Sequence, residues 1–249
     1  MKTLLVICAR RGSQRLKGKH HLKIAGLPLW SFAVGAALQV RNALTVFSSD
    51  DLRIKRELDR QAWRLGNDFV PWVTRPDAMA NATAPIHLTL QHAVAQLEKL
   101  GRKFDVVGFI PANVPTVTPG LIRKCISRMK GDKLLTAVMT VREIRDKPEW
   151  MWGDDPWQSG MTPAFPELRT VGGGAYREQD LPKRYVATGT VSLVRTEVLL
   201  ACTSHKAFAW LGPRIGRVMD DDAIEIHTKR DYELARALME TGGVAEDNR

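Results

Sequence analysis

The chain has 249 residues, of which 44% are hydrophobic and 26% charged, and its formal net charge at pH 7 is +10. This length and apolar content predict one globular α/β domain with a sizeable core, and they exclude an intrinsically disordered chain. No apolar run approaches the length of a membrane-spanning helix.

Cysteine usage indicates the redox environment. Cys8, Cys125 and Cys202 are widely separated in the sequence. That spacing fits reduced thiols and provides neither a metal cluster nor a disulfide framework. We expect Cys8 and Cys125 to lie in the core, because both stand in apolar surroundings. The first apolar run is short and ends in arginines, which is not typical of a signal peptide, so we expect a cytoplasmic protein.

The basic charge raises the question of nucleic-acid binding, since a pI near 9.8 is typical of such proteins. Outside the first loop, however, lysines and arginines alternate with acidic residues, as in residues 51–57. No aromatic and basic RNA-binding motif is present. We therefore expect neither nucleic acid nor a membrane as a partner. A basic site for a small anion explains part of the charge, and the rest serves either solubility or nonspecific anion binding.

The first strand leads directly into a basic segment. Residues 4–9 are apolar and have the length of a buried strand. The cations that follow are Arg10, Arg11, Arg15, Lys17, Lys19 and Lys23. Gly12 and Gly18 allow backbone N–H groups to approach a ligand, and Ser13 adds a hydroxyl donor. The carboxyl end of a strand is where open α/β sheets bind ligands, so we interpret this segment as a polyphosphate site rather than a solvated loop. Its spacing matches neither a P-loop nor a dinucleotide motif.

Strands and helices alternate along the rest of the chain, which predicts a mostly parallel sheet. Strands are predicted at residues 44–47, 69–73, 104–110, 134–141 and 191–194. Helices are predicted at residues 29–40, 52–63, from about 84, 121–129, 196–201 and 231–241. Asp50 and Asp51 are interpreted as caps of the second helix. His87 and His92 are five residues apart, which does not place them on one helix face as a ligand pair, so we interpret them as ordinary helix residues.

Three segments resemble the sugar-acid cytidylyltransferases, the acylneuraminate and 3-deoxy-manno-octulosonate CMP-transferring enzymes. The first is Ala9-Arg10-Arg11-Gly12-Ser13-Gln14-Arg15-Leu16-Lys17-Gly18-Lys19-His20, followed by Gly26-Leu27-Pro28-Leu29. The second is residues 176–185 with Thr188-Gly189-Thr190, and the third is residues 217–235. The resemblance implies a Rossmann-like nucleotidyltransferase domain over residues 1–249 with an inserted dimerisation lobe at about residues 145–188. It also implies transfer of CMP from CTP to an acidic eight- or nine-carbon sugar, with release of pyrophosphate by a homodimer.

The resemblance also assigns roles to individual residues. It places the nucleotide at Ala9, Arg10, Arg11, Gly12, Ser13, Arg15, Lys19 and Arg75, with Arg10 and Lys19 as catalytic residues. It places the sugar at Asn113, Arg177, Gln179, Tyr185 and Gly189. A guanidinium suits a planar carboxylate, so Arg177 is either a substrate ligand or part of a dimer salt bridge.

The metal position departs from the family pattern. Glu225 and His227 stand where relatives use two aspartates to hold Mg²⁺, and Asn113 stands where octulosonate enzymes have an aspartate. On a strand, Glu225 and His227 would face the same side and could reach one ion, with help from Asp222. Imidazole prefers softer ions, so His227 would shift the preference towards Mn²⁺ or Zn²⁺, or would act instead as a base or phosphate contact.

Two further alternatives remain open at this stage. The chain also departs from the family pattern at three other ligand positions, Gln14, His20 and Pro111. One alternative is therefore an enzyme of the same fold that acts on a nonstandard acceptor. The other is a noncatalytic nucleotide-binding protein without a metal site.

The tryptophans of the predicted lobe are Trp150, Trp152 and Trp157. We interpret them as an interface between subunits rather than a stacking surface for substrate.

Overall fold

A computed structural model describes residues 1–61, 70–81, 83–154, 161–170, 177 and 181–241. The strands within these ranges are β1 (Thr3–Cys8), β2 (Lys23–Ile24), β3 (Leu27–Pro28), β4 (Ala43–Ser49), β5 (Trp72–Thr74), β6 (Val106–Pro111), β7 (Ala137–Glu143), β8 (Trp152–Asp154), β9 (Met161–Pro163), β10 (Tyr185–Arg195) and β11 (Ile215–Met219). The α-helices are α1 (Leu29–Leu38), α2 (Leu52–Gln61), α3 (Asp77–Ala80), α4 (Ile86–Glu98), α5 (Pro119–Gly131), α6 (Thr196–Ala201) and α7 (Lys229–Glu240). None of the described helices is long and apolar enough to cross a lipid bilayer.

Seven of these strands form one central sheet in the order β11-β7-β10-β6-β1-β4-β5. β10 runs antiparallel to β6 and β7, and the other neighbouring pairs are parallel. This arrangement confirms the predicted α/β fold with a mostly parallel sheet.

β1 lies inside this sheet between β6 and β4, and all six of its residues are buried. Leu5 and Ile7 join a core with α1, α2 and α5, whereas Leu4 and Val6 join a core with α4 and α6 on the opposite face. A strand covered on both faces needs a continuous apolar run, which explains why residues 4–9 could be recognised from the sequence.

The second half of the sheet differs from the prediction. β10 has 11 residues instead of the four predicted, and its register shifts between Ala187 and Ser192. β11 was not predicted, because exposed and buried residues mix along its five positions. The predicted helix at residues 52–63 begins as expected at Leu52, and its last residues, like Phe69 of the next strand, lie outside the described residues.

The described part of the predicted lobe contains the β8–β9 hairpin and two short 3₁₀ helices, Pro148–Trp150 and Pro166–Thr170. The buried Glu149 carboxylate accepts two hydrogen bonds from Arg184, at 3.1 and 2.6 Å. Residues 185–188 belong to β10 of the central sheet, so the end of the predicted lobe lies within the sheet. Trp157 lies outside the described residues.

Candidate active site

A cavity of about 470 Å³ opens at the carboxyl ends of β1 and β6. Cys8 and Pro111 are paired at these two strand ends. The cavity is lined by Cys8, Ala9, Arg10, Ser13, Gln14, Arg15, Lys19, His20, Arg75, Ile86, Phe109, Pro111, Asn113, Glu225 and His227. This volume and position are typical of a small-molecule site in an α/β protein.

The basic loop, residues 9–18, forms one wall of the cavity and is fixed at both ends. The backbone N–H of Arg11 donates to the Asp50 carboxylate at 2.8 Å, so Asp50 holds this loop rather than capping α2 as predicted. Asp51 does cap α2, because its carboxylate accepts from the N–H of Arg53 at 3.0 Å. Gly18 adopts a φ of 65°, which glycine reaches without strain, and thereby turns the chain into a 3₁₀ helix.

Lys19 projects from that 3₁₀ helix towards the facing wall. Its ammonium group donates to the carbonyl of Ile226 at 2.9 Å. Burial lowers the pKa of Lys19 to about 8, assisted by the nearby Arg15 and Arg10 and opposed by Glu225. Lys19 is therefore a partly desolvated cation whose charge an anionic ligand would stabilise.

His20 is 5% exposed and lines the cavity beside Lys19. Burial lowers the pKa of His20 to about 3, and the neighbouring positive charge of Lys19 contributes in the same direction. The imidazole is consequently neutral near pH 7.

Arg75 and Cys8 lie deeper in the cavity. The Arg75 guanidinium is buried and donates from Nη2 to the carbonyl of Ser48 at 2.9 Å, while its Nε has no hydrogen-bond partner among the described residues. Burial raises the pKa of the Cys8 thiol to about 11 although Arg75 lies nearby, so this thiol stays protonated. Cys8 was predicted to be a core residue. It is 8% exposed and also lines the cavity, because it ends β1.

The facing wall consists of Asn113 and residues 224–228. The Asn113 amide donates to the carbonyl of Ile226 at 3.0 Å and to the Glu225 carboxylate at 3.3 Å. His227 lies between Glu225, with Nε2 at 3.0 Å from Oε2, and Arg15, with Nδ1 at 2.7 Å from Nη2. Residues 224–228 have no regular secondary structure, so the strand geometry considered for Glu225 and His227 is absent, although the two side chains do lie on one side, in contact with each other.

These contacts bear on the predicted metal site. A guanidinium can only donate, so Nδ1 of His227 accepts from Arg15 and the ring proton lies on Nε2, which donates to Glu225. Neither nitrogen retains a lone pair for a metal. Asp222 is exposed and does not line the cavity, and no group of three His, Cys, Asp or Glu side chains in the described part of the chain could hold a metal ion. The predicted set of Glu225, His227 and Asp222 is therefore not assembled. The Glu225 carboxylate fits the sparse protein ligation that Mg²⁺ receives beside a phosphate chain.

The other predicted site residues that the structure describes are absent from the cavity lining. Arg11 and Gly12 are exposed in the basic loop, and Arg177 is exposed in the lobe. The Tyr185 ring lies under the guanidinium of Arg217, 4.6 Å from its centroid. Gln179 is outside the described residues.

Gly189 supports the facing wall from behind. It has a φ of 73°, and a Cβ added there would lie 3.3 Å from the Glu225 carboxylate.

Sequence reasoning did not identify Ile86 and Phe109 as lining residues, since their apolar side chains gave no signal that distinguishes a cavity wall from a core.

Comparisons with known proteins find two curated relatives that match almost the whole chain. No family model matches the chain. The CMP-N,N'-diacetyllegionaminic acid synthase of Legionella pneumophila is 30% identical over 243 residues, covering 96% of this chain and 97% of the relative. A 3-deoxy-manno-octulosonate cytidylyltransferase of Mesorhizobium japonicum is 23% identical, covering 96% and 99%.

Among solved structures, a CMP:2-keto-3-deoxy-manno-octonic acid synthetase complexed with CTP superposes with a TM-score of 0.68 at 19% identity, over 97% of this chain and all of that chain. Together with the two curated relatives, this fold with its basic cavity at the strand ends identifies a nucleotidyltransferase. Through its Legionella relative, the chain belongs more specifically to the sugar-acid cytidylyltransferase family.

Proposed function

We propose that this protein transfers CMP from CTP to an acidic sugar of eight or nine carbons and releases pyrophosphate. The observation that carries the proposal is the charge of the cavity. Four cationic side chains, those of Arg10, Arg15, Lys19 and Arg75, line it, whereas Glu225 is the single carboxylate among the described lining residues. Such an excess suits a triphosphate better than a neutral ligand.

In this reaction an acceptor hydroxyl oxygen bonds to the α-phosphorus. The bond from that phosphorus to the oxygen of the β-phosphate breaks, and the hydroxyl proton is lost to water. Negative charge grows on the leaving pyrophosphate. The cavity-lining Arg10, Arg15 and Lys19 would stabilise it together with the Ser13 hydroxyl. Fixed positive groups at this wall would therefore lower the barrier by electrostatics and positioning, without a covalent intermediate.

We further propose Mg²⁺ as the companion of the triphosphate. Glu225 would hold it together with phosphate oxygens, since Mg²⁺ is usually bound by one or two carboxylates and substrate phosphates. When bound, it would offset the negative charge of the triphosphate. Asn113 orients Glu225 through the 3.3 Å hydrogen bond from its amide.

A homodimer and a cytoplasmic location complete the proposal. Large apolar side chains are exposed on the described part of the lobe, at Trp150, Met151, Trp152, Met161 and Phe165. Exposed apolar clusters of this kind are typical of interfaces between subunits. The three free thiols suit a reducing compartment.

The test is a pyrophosphate-release assay with purified protein, each of the four nucleoside triphosphates, and a panel of eight- and nine-carbon sugar acids, in Mg²⁺ and in Mn²⁺. We expect release only with CTP and a sugar acid. Release with another acceptor class would correct the substrate. Binding of CTP without turnover on any acceptor would contradict the proposed reaction.

A further inference from the structure

His227 connects two side chains of opposite charge. The Arg15 guanidinium lies 2.7 Å from Nδ1, and the Glu225 carboxylate lies 3.0 Å from Nε2. Both charged groups line the same cavity. The imidazole therefore stands between a cation and an anion that would otherwise be free to pair directly.

A direct pair would change the cavity. Arginine and glutamate form strong bidentate contacts that use two N–H donors of the guanidinium. Arg15 is an exposed residue within a loop that has no regular secondary structure, so its own backbone does little to restrain its side chain. The His227 ring, as the neutral tautomer with its proton on Nε2, accepts one hydrogen bond from Arg15 and donates another to Glu225. The other donors of Arg15 thus stay available to a ligand.

We propose that His227 is a positioning residue that keeps Arg15 apart from Glu225 and directs the guanidinium towards the bound triphosphate. This inference rests on the proposed function, because the triphosphate of CTP is the anion that Arg15 would meet. It replaces the metal-ligand role predicted for His227, since both ring nitrogens are engaged by protein groups.

The experiment measures binding rather than turnover. A nonhydrolysable CTP analogue is titrated calorimetrically into the full-length protein without acceptor, once in EDTA and once in Mg²⁺. The proteins are the wild type, His227→Ala, Arg15→Ala, the double variant and His227→Gln. His205→Ala, which removes an exposed histidine outside the cavity, is the matched control.

We expect His227→Ala and Arg15→Ala each to weaken binding about tenfold, as expected for one charge-assisted hydrogen bond. The double variant should bind no more weakly than Arg15→Ala, because His227 acts through Arg15. His227→Gln retains an acceptor and a donor, so it should stay within about threefold of the wild type. The losses should be alike in EDTA and in Mg²⁺, and His205→Ala should have no effect.

Several results would overturn this inference. Wild-type affinity in His227→Ala would do so, as would losses that add fully in the double variant. A loss seen in Mg²⁺ but absent in EDTA would show that His227 is a metal ligand. If His227→Ala does not fold, His227→Phe keeps the ring and removes both nitrogens, and the same expectations apply. A wild-type protein that does not bind the analogue would instead contradict the proposed function.

Discussion

The basic loop and the lobe both leave the central sheet, but they present opposite kinds of side chain to solvent. The loop carries Arg10, Arg15 and a backbone anchored to Asp50. The lobe exposes apolar side chains, including 42% of Trp150 and 70% of Met161. Charges held in place suit a small anion, whereas an apolar surface suits another protein chain. The comparison therefore separates a ligand-binding region from the proposed association region, and we expect that each can be disrupted without the other.

The largest expected effect concerns the free energy of unfolding of the protein in acid, to which His20 beside the basic loop contributes. His20 is buried and neutral with a pKa of about 3, whereas an unfolded histidine has a pKa near 6.5. Below pH 6.5 the unfolded chain binds the extra proton, so stability falls as the pH falls. The expected loss is about 1.4 kcal/mol per pH unit, or about 2 to 3 kcal/mol between pH 6.5 and 4.5.

Urea unfolding of the wild type and of His20→Gln at both pH values measures this loss. The variant should lose correspondingly less stability over the same interval. Equal losses in the two proteins would show that protonation of His20 does not cause the pH dependence of the free energy of unfolding.

The next effect concerns turnover. Lys19→Ala and Arg10→Ala should each reduce kcat at least about tenfold, equivalent to about 1.4 kcal/mol in the barrier, because each removes a charge that faces the leaving pyrophosphate. Lys17→Ala is the matched control, since Lys17 is an exposed lysine of the same loop outside the cavity lining. Steady-state kinetics with CTP and a sugar acid provide the measurement, and wild-type rates in both variants would remove the loop from the mechanism.

A smaller effect is expected from the association region. Met161→Glu places a charge on the exposed lobe surface and should weaken the dimer about fivefold, or about 1 kcal/mol, with turnover by the remaining dimer unchanged. Leu134→Glu alters another exposed apolar residue, 68% exposed and outside the lobe, and serves as the control. Sedimentation equilibrium measures both. An unchanged dissociation constant would place the interface elsewhere.

The smallest effect is a pH dependence of nucleotide binding. Lys19 has a pKa of about 8 in the free protein, so raising the pH above this value removes its charge. Affinity for a CTP analogue should fall by about threefold between pH 7.5 and 9.5. Lys19→Arg should flatten the profile, because a guanidinium stays charged over this range. Parallel profiles in the two proteins would assign the dependence to another group.

The sequence predicted this ligand-binding region because its signal is local. The apolar run of β1, the cations that follow it and Gly18 lie within about 20 consecutive residues. The capping box of α7, formed by Thr228 and Asp231, is an equally local signal because it spans only four residues.

Contacts between distant segments could not be predicted in this way. Arg15 and His227 are 212 residues apart, and their contact depends on how residues 224–228 lie against the loop. Aspartate is a common helix-capping residue. Only the tertiary structure shows that the Asp50 carboxylate instead accepts a hydrogen bond from the backbone N–H of Arg11. The family resemblance likewise implied that Glu225 and His227 hold a metal ion. A spacing of two residues carries no information about the Arg15 guanidinium that contacts His227 in the folded chain.

The hydrogen bonds of Ile226 determine when the cavity can be completed during synthesis of the chain. Its carbonyl accepts hydrogen bonds from Lys19 and from Asn113, and its side chain packs with Ile24 and Leu29. A ribosome-bound nascent chain can complete β1, β4 and β6 long before residue 226 leaves the exit tunnel. Until then both walls lack their common acceptor, so a nascent chain in which residue 226 is still inside the tunnel does not present the complete cavity.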